Sequence, residues 1–376
     1  MIYLDNAATT KINKEVLDSY QALLNAYYAN PSSTHALGLK SDTFQIKARN
    51  QILDILHLNS REYEVIFTSG ATEANNLFIK GVAFAYKGKG KHIITSKIEH
   101  PSVIETCKQL EELFGYEVTY LDVDNEGKID LDELEKSIKK DTILVSIMFV
   151  NNETGVISDL VKIKEIMNRH KDVFFHSDVV QGFAKIPFNY SLLDAFTISS
   201  HKIHGLKGSG ALIKRRNIRL VAINNGGSQE SGYRAGTGNF PVNAMLAKTI
   251  RIAFENIKNH YDHVSKIYDY LYDELSKIDG ILLNSIKGNS PYILNFSMKN
   301  KKGPIVMEAL SKNDIYVSTV SACSSKKEAM SDVIYAMHKN EFRAQSSLRI
   351  SLSFESTLDE AKTFISEFKK VYKSIV

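Results

Sequence analysis

"TILVSIMFV" (residues 142–150) is nearly all apolar, with no regular alternation of apolar and polar residues. A strand with one wet face would alternate. This run therefore reads as a strand covered on both faces, as in a parallel sheet flanked by helices. Downstream, Leu160, Ile163 and Ile166 have helical spacing, and "VFFHSD" (173–178) reads as the next strand. Strand, helix, strand is the unit of an α/β layer. Working outward, EVIFTS (64–69), KHIITS (91–96) and EVTYLDV (117–123) precede the opening run, and AFTISS (195–200) and GALIKR (210–215) follow it. Leu131, Leu134 and Ile138 mark another helix between strands.

After about residue 255 the pattern changes. A long helical segment runs through the 260s and 270s, followed by YILNFSM, a helix near 304–313 and the strand SLRISLSF. A last helix opens at Thr357-Leu-Asp-Glu360, a capping-box pattern. The expected architecture is α/β. A large domain over 15–255 holds a mostly parallel seven-stranded sheet, and a smaller α+β domain is built from 1–14 and 256–376.

Bulk properties exclude several classes. Of 376 residues, 43% are hydrophobic and 24% charged, ordinary for a globular chain with room for two domains. The net charge of +4, from 47 basic and 43 acidic residues, is too balanced to argue for nucleic-acid binding. Two cysteines 216 positions apart give no disulfide framework and suit a reducing compartment. No signal peptide or membrane-spanning run is read, so the expected location is cytoplasmic.

In open α/β sheets, functional groups sit at the C-terminal ends of strands. Four such ends carry chemistry here. In FTSGATEANN (67–76), a strand ends, Gly70 turns the chain and a helix begins near Thr72; the free N–H groups would suit a phosphate, though an ordinary strand–helix turn looks the same. In VFFHSDVVQ (173–181), Asp178 could hold a cationic ring nitrogen or simply cap a turn. In AFTISSHKIHGLKGSG (195–210), Lys202 follows a strand end, where partial desolvation makes an amine nucleophilic; most lysines are instead solvated surface groups. His201 and His204 have no third partner at useful spacing, so no metal is expected. In SKIEHPSVIET (96–106), His100 precedes Pro101 at a helix start and could stack on a flat ring or shuttle a proton, or have no role. A phosphate cradle, an aspartate for a pyridinium and a Schiff-base lysine together fit pyridoxal 5'-phosphate.

The chain resembles the NifS/IscS-type cysteine desulfurases, fold-type I pyridoxal-phosphate enzymes of the class V aminotransferase family. The likeness runs nearly end to end. It rests on YLDNAATT (3–10), ANPSSTHALG (29–38), FTSGATEANN, IEH (98–100), VNNETGV (150–156), SDVVQ (177–181), SSHKIHGLKGSGAL (199–212), YRAGTGN (233–239), SACSS (321–325) and SSLRISL (346–352). The resemblance implies that Lys202 bonds the cofactor and Asp178 pairs with its ring nitrogen. Gln181 and Asn152 contact the ring oxygen and the substrate end. His100 and Val180 cover the two ring faces, with His100 also moving protons. Ala71, Thr72, Ser199 and His201 hold the phosphate. Thr237 reaches the phosphate of a neighbouring subunit, which implies a homodimer. Arg349 binds the substrate carboxylate, and its strand alternates so as to put it on the polar face.

Cys323 matches the family's nucleophile. Its stretch, TVSACSSKK, reads as a loop, and Lys326 and Lys327 favour the attacking thiolate. Many relatives have glycine at the position of Val320, whose β-branch stiffens the approach. Cys107, among helix-spaced apolar residues in VIETCKQLEELF, reads as packed and inert. The implied reaction takes L-cysteine to L-alanine and leaves a persulfide on Cys323. That sulfur passes to an acceptor, an iron–sulfur scaffold or a tRNA thiolation enzyme. Competing readings are an aminotransferase, a selenocysteine lyase, or a silent paralogue that only positions a sulfur-relay partner. SACSS argues against the first, and the intact Lys202, Asp178, His100 and Cys323 argue against the last.

Overall fold

The structure is a computed structural model and describes residues 1–319 and 330–375. Cys323, Val320 and the two lysines after the cysteine lie outside the described residues. The chain opens with β1 (Ile2–Tyr3) and then builds one sheet from β2 (Tyr63–Thr68), β3 (His92–Ser96), β4 (Glu117–Leu121), β5 (Thr142–Ser146), β6 (Phe174–Asp178), β7 (Ala195–Ser199) and β8 (Gly210–Arg215). Their order is β2-β8-β7-β6-β5-β3-β4. All neighbours are parallel except β8, which runs antiparallel to both β2 and β7. The seven runs expected from sequence are these seven strands.

Burial explains the missing alternation. β3, β5 and β7 are buried along their whole length, whereas β4, at the sheet edge, is partly exposed. Successive residues serve opposite layers. Ile66 and Leu212 pack with the helices Ala71–Tyr86 and Pro101–Phe114, while Val65, Phe67, Ala211 and Ile213 pack with Ala36–Ile55 and Phe240–Glu255. Each fully buried aliphatic or aromatic side chain contributes about 1.5–3 kcal/mol, so both layers contribute to holding the sheet.

The opening run is only partly strand. β5 stops at Ser146, yet Ile147 and Phe149 still donate to the carbonyls of His176 and Asp178, at 3.1 and 2.9 Å. The chain thus leaves the ladder while following β6 to its end.

Later come β9 (Ile281–Leu283), β10 (Ile293–Met298), β11 (Ile315–Tyr316) and β12 (Ser347–Ser351). The three-stranded antiparallel sheet has the order β12-β10-β9, and β1 pairs in parallel with β11. The helices Ile257–Ser276 and Leu358–Ser374 pack on this sheet in a separate apolar cluster, which also takes in Leu4 and Ala7 from the N-terminus. Thr357 and Glu360 form the expected capping box. Among the described residues, no helix is long and apolar enough to cross a membrane.

Candidate active site

The strand ends converge on one pocket of about 580 Å³, within the roughly 300–1,000 Å³ usual for small-ligand sites. Ala71, Thr72, His100, Asn152, Asp178, Val180, Gln181, Ser199, His201, Lys202 and Arg349 all line it. Two sequence-derived candidates do not join them. Thr237 is exposed in a separate groove with Leu24, Tyr27 and Tyr28, and Cys323 is outside the described residues.

Asp178 is the last residue of β6, and its two oxygens are held separately. Oδ1 accepts the Val180 N–H at 3.0 Å, and Oδ2 accepts Asn75 Nδ2 at 2.8 Å. Asn75 sits in the second turn of helix Ala71–Tyr86; its Nδ2 also donates to Ser102 Oγ at 2.8 Å, and its Oδ1 accepts from Thr197 Oγ1 at 2.7 Å. Ser102 Oγ in turn lies 2.8 Å from His100 Nδ1, which accepts the Ser102 N–H at 3.1 Å. With Nδ1 accepting, a neutral His100 carries its proton on Nε2. Burial lowers the pKa of His100; Asp178 opposes that shift and Lys202 adds to it. Carboxylate and imidazole are thus oriented through one amide and one hydroxyl.

Lys202 lies in the short 3-10 turn Ser200–Lys202 directly after β7. Its Nζ donates to the carbonyls of Ala7 and Ala8 at 2.5 and 2.7 Å, so the N-terminal segment forms one wall of the pocket. Gln181 Nε2 donates to the same Ala7 carbonyl at 3.0 Å. His201 places Nδ1 3.1 Å from Thr9 Oγ1; burial, with the cations Lys202, Lys207 and Lys185, brings its pKa down to about 4. It is therefore a neutral hydrogen-bonding group at pH 7.

Gly70 precedes helix Ala71–Tyr86 with no side chain capping the first turn, so the N–H groups of that turn face the pocket unclaimed by a cap. The approach is tight. A Cβ on Gly210, at the start of β8, would come within 2.7 Å of Gly70 Cα and 2.6 Å of the Ile198 carbonyl. Glu73, in the first turn, accepts the Ser69 N–H at 2.7 Å and pairs with Arg234 at 2.8 Å, tying the YRAGTGN loop to the cradle.

Arg349 is buried, not solvated. It pairs with Asp5 at 2.8 Å and donates to the Asn152 carbonyl at 2.8 Å, while its Nε has no partner among the described residues. Its backbone exchanges hydrogen bonds with Ser318, at 2.7 and 3.1 Å. Beyond the cysteine stretch, Ser331 Oγ donates to the buried Glu153, beside Asn152. Both described ends of the segment carrying Cys323 are therefore attached to residues at this site.

The donor set fits pyridoxal phosphate: an uncapped helix start with Ser199 and His201 for the phosphate, Asp178 for the ring nitrogen and Lys202 for the carbonyl carbon. A mostly parallel sheet presenting these groups at its strand ends defines a fold-type I pyridoxal-phosphate enzyme. The chain belongs to the class-V aminotransferase family, whose description matches residues 2–364. Over 378 residues it is 39% identical to the cysteine desulfurase IscS of Dictyoglomus turgidum, covering 100% of this chain and 95% of the relative. A solved NifS-like protein superposes with a TM-score of 0.92 at 34% identity, covering 100% of both chains. SspA in complex with cysteine superposes at 0.82 with 31% identity, covering 95% of this chain and 100% of SspA.

Sequence reasoning missed the residues that orient the others: Asn75, Ser102, Asp5, Lys185 and the buried Glu99. Asn75 lay inside a quoted motif, and its position one helical turn past Ala71 was a usable signal. Asp5 lay inside YLDNAATT, but no local spacing joined it to Arg349, 344 positions away.

Proposed function

We propose that this chain is a cysteine desulfurase that takes L-cysteine to L-alanine and holds the released sulfur on Cys323. The observation that carries the reading is the buried Arg349 lining the same pocket as Lys202 and Asp178. A guanidinium held in a pocket wall suits a substrate carboxylate. The cysteine desulfurase relative and the cysteine-bound SspA support the choice of amino acid.

Bound pyridoxal phosphate supplies an electron sink for the substrate's α-carbon. Ala71, Thr72, Ser199 and His201 would hold its phosphate; Asp178 would pair with its ring nitrogen, Gln181 with its ring oxygen, and His100 and Val180 would cover the ring. Arg349, steadied by Asp5 and with Asn152 beside it, orients the substrate. Lys202 Nζ moves the α-proton, and His100 Nε2 is the second proton carrier. Cys323 thiolate attacks the substrate sulfur; an S–S bond forms as the C–S bond breaks, and the β-carbon takes a proton. In balance, L-cysteine and the Cys323 thiol give L-alanine and a Cys323 persulfide.

The acceptor of that sulfur is a partner protein, an iron–sulfur scaffold or a tRNA thiolation enzyme. The chain works as a homodimer in which Thr237 completes the partner's phosphate site. Its exposure outside the pocket supports that role. The division into 15–255 and 1–14 with 256–376 is supported by the separate apolar clusters around the two larger sheets.

The test is alanine formed per enzyme from free L-cysteine. Cys323→Ala should stay folded and loaded with cofactor yet fall to near background. Cys107→Ala should keep turnover, since Cys107 is fully buried in helix Pro101–Phe114, and should cost about 1 kcal/mol of stability. Wild-type turnover in Cys323→Ala would overturn the assignment.

A further inference from the structure

Two side chains meet at one carbonyl, and a third holds one of them. Ala7 O accepts from Lys202 Nζ and from Gln181 Nε2, while Gln181 Oε1 accepts from Lys185 Nζ at 3.3 Å. A lysine ammonium has donors only, so charged Lys185 faces the amide oxygen; the Ala7 carbonyl can face only the amide nitrogen. Both contacts fix the same orientation of Gln181. One N–H of that amide then remains for an acceptor beside Lys202.

Lys185 reaches this place through two tight turns after β6. Gly182 N–H donates to Val179 O at 3.0 Å, and Lys185 N–H to Gly182 O at 3.1 Å. Ala184 holds φ at 56°, a left-handed backbone that non-glycine residues seldom adopt. A Cβ on Gly182 would fall within 2.3 Å of the Phe149 ring. The turn is thus constrained at two positions, and it ends by delivering a lysine.

Lys185 is 8% exposed, and its Nζ lies 5.7 Å from the Tyr292 ring centroid. Among the described residues it makes no ion pair, and Gln181 is its hydrogen-bond partner. An apolar side chain would fill such a place at less cost. Burial, then the cations Lys202 and Arg349, bring its pKa down to about 7. The other titratable groups facing it are His201 and His204, whose pKa values it helps depress, and His260 across a small apolar cavity of about 40 Å³ that Lys185 and Lys202 both line.

We propose that Lys185 is a positioning residue of the cofactor pocket: it holds Gln181 Oε1 so that Nε2 faces the ring oxygen, and its ammonium opposes further positive charge beside Lys202. The inference rests on the pyridoxal-phosphate reading. It is tested on holoenzyme without substrate, by titrating the visible absorption of the bound cofactor with pH. Lys185→Met should bind cofactor, with the titration midpoint moved up by about one pH unit because a repelling charge is gone. Lys185→Arg, which keeps charge and donors, should restore the wild-type midpoint. Should Lys185→Met fail to fold, Lys185→Gln is read by the same criterion. An unchanged midpoint in the uncharged variant overturns the proposal, as does an Arg variant shifted as far as Met. Failure of the cofactor reading would look different: wild-type protein given pyridoxal phosphate would stay colourless.

Discussion

Asp178 owes its orientation to neighbours that only donate to it. Replacing it with Asn puts an amide nitrogen against one of those donors, Asn75 Nδ2 or the Val180 N–H, and removes the anion proposed to face the ring nitrogen. Asp178→Asn should still fold and retain some cofactor, but exchange of the substrate α-hydrogen with deuterated solvent should slow by roughly tenfold or more, about 1.4 kcal/mol of barrier. NMR of recovered cysteine measures this, and an unchanged rate would remove the role. Glu99 makes a second prediction. Its Oε1 accepts from Ser96 Oγ and the Met148 N–H, both at 2.8 Å, and its Oε2 has no partner among the described residues. Burial pushes its pKa up to about 8. The folded protein therefore keeps this proton between the usual pKa of 4.5 and about 8, while the unfolded chain has lost it. Raising the pH across that window lowers stability, by an amount on the order of a few kcal/mol. Glu99→Gln keeps the two acceptor contacts and should flatten the fall, read from denaturant midpoints at pH 5 and pH 8 (~3 units apart, spanning the window). Strand-end residues such as Asp178 and Lys202 were legible in the sequence because a strand's end is itself a sequence feature. The role of Asn75 was harder to read, because its partners Asp178 and Thr197 are 103 and 122 positions away and are brought to it by sheet order.

Sheet order also decided which elements could be read. Strands such as β5 that are buried on both faces announce themselves as nearly unbroken apolar runs; all seven strands were found, including the partly exposed edge strand β4, with β5 ending earlier than its run. SLRISLSF likewise contains β12, but Arg349, read as polar-facing, is 4% exposed because Asp5 and the Asn152 loop cover it. The antiparallel setting of β8 had no local signature; it follows from its insertion between β2 and β7. That insertion brings Gly210 against Gly70, where no side chain fits. Gly210→Ala should cost on the order of 1–3 kcal/mol, as overpacking does. Because the added methyl pushes on the turn before helix Ala71–Tyr86, it should also weaken affinity for pyridoxal phosphate. Denaturant melts and a cofactor titration test the two effects, and a variant with both unchanged would mean that the cradle tolerates the displacement.

At the scale of the whole molecule, helices Lys14–Ala26 and Ala36–Ile55 and the segment between them leave large apolar side chains in solvent. Tyr28 is 84% exposed and Leu39 57%, and Leu17, Leu24, Leu37 and Ile46 are also exposed. Scattered apolar residues are ordinary, but this many on two consecutive helices suits a covered surface. Thr237 lies in the groove that Leu24 and Tyr28 line, and the loop carrying Thr237 is tied through Arg234 to Glu73 at the phosphate cradle. One association across this face would therefore bury the apolar residues and carry Thr237 toward a second pocket. Wild-type protein should sediment at twice its chain mass of 42.3 kDa. Leu24→Asp with Leu39→Asp should sediment as a folded monomer that loses pyridoxal phosphate on dilution. Thr237→Ala should stay dimeric and lose cofactor faster than wild type, because only the phosphate contact is gone. A Leu24→Asp/Leu39→Asp protein that is monomeric yet keeps cofactor and full turnover would refute the shared site.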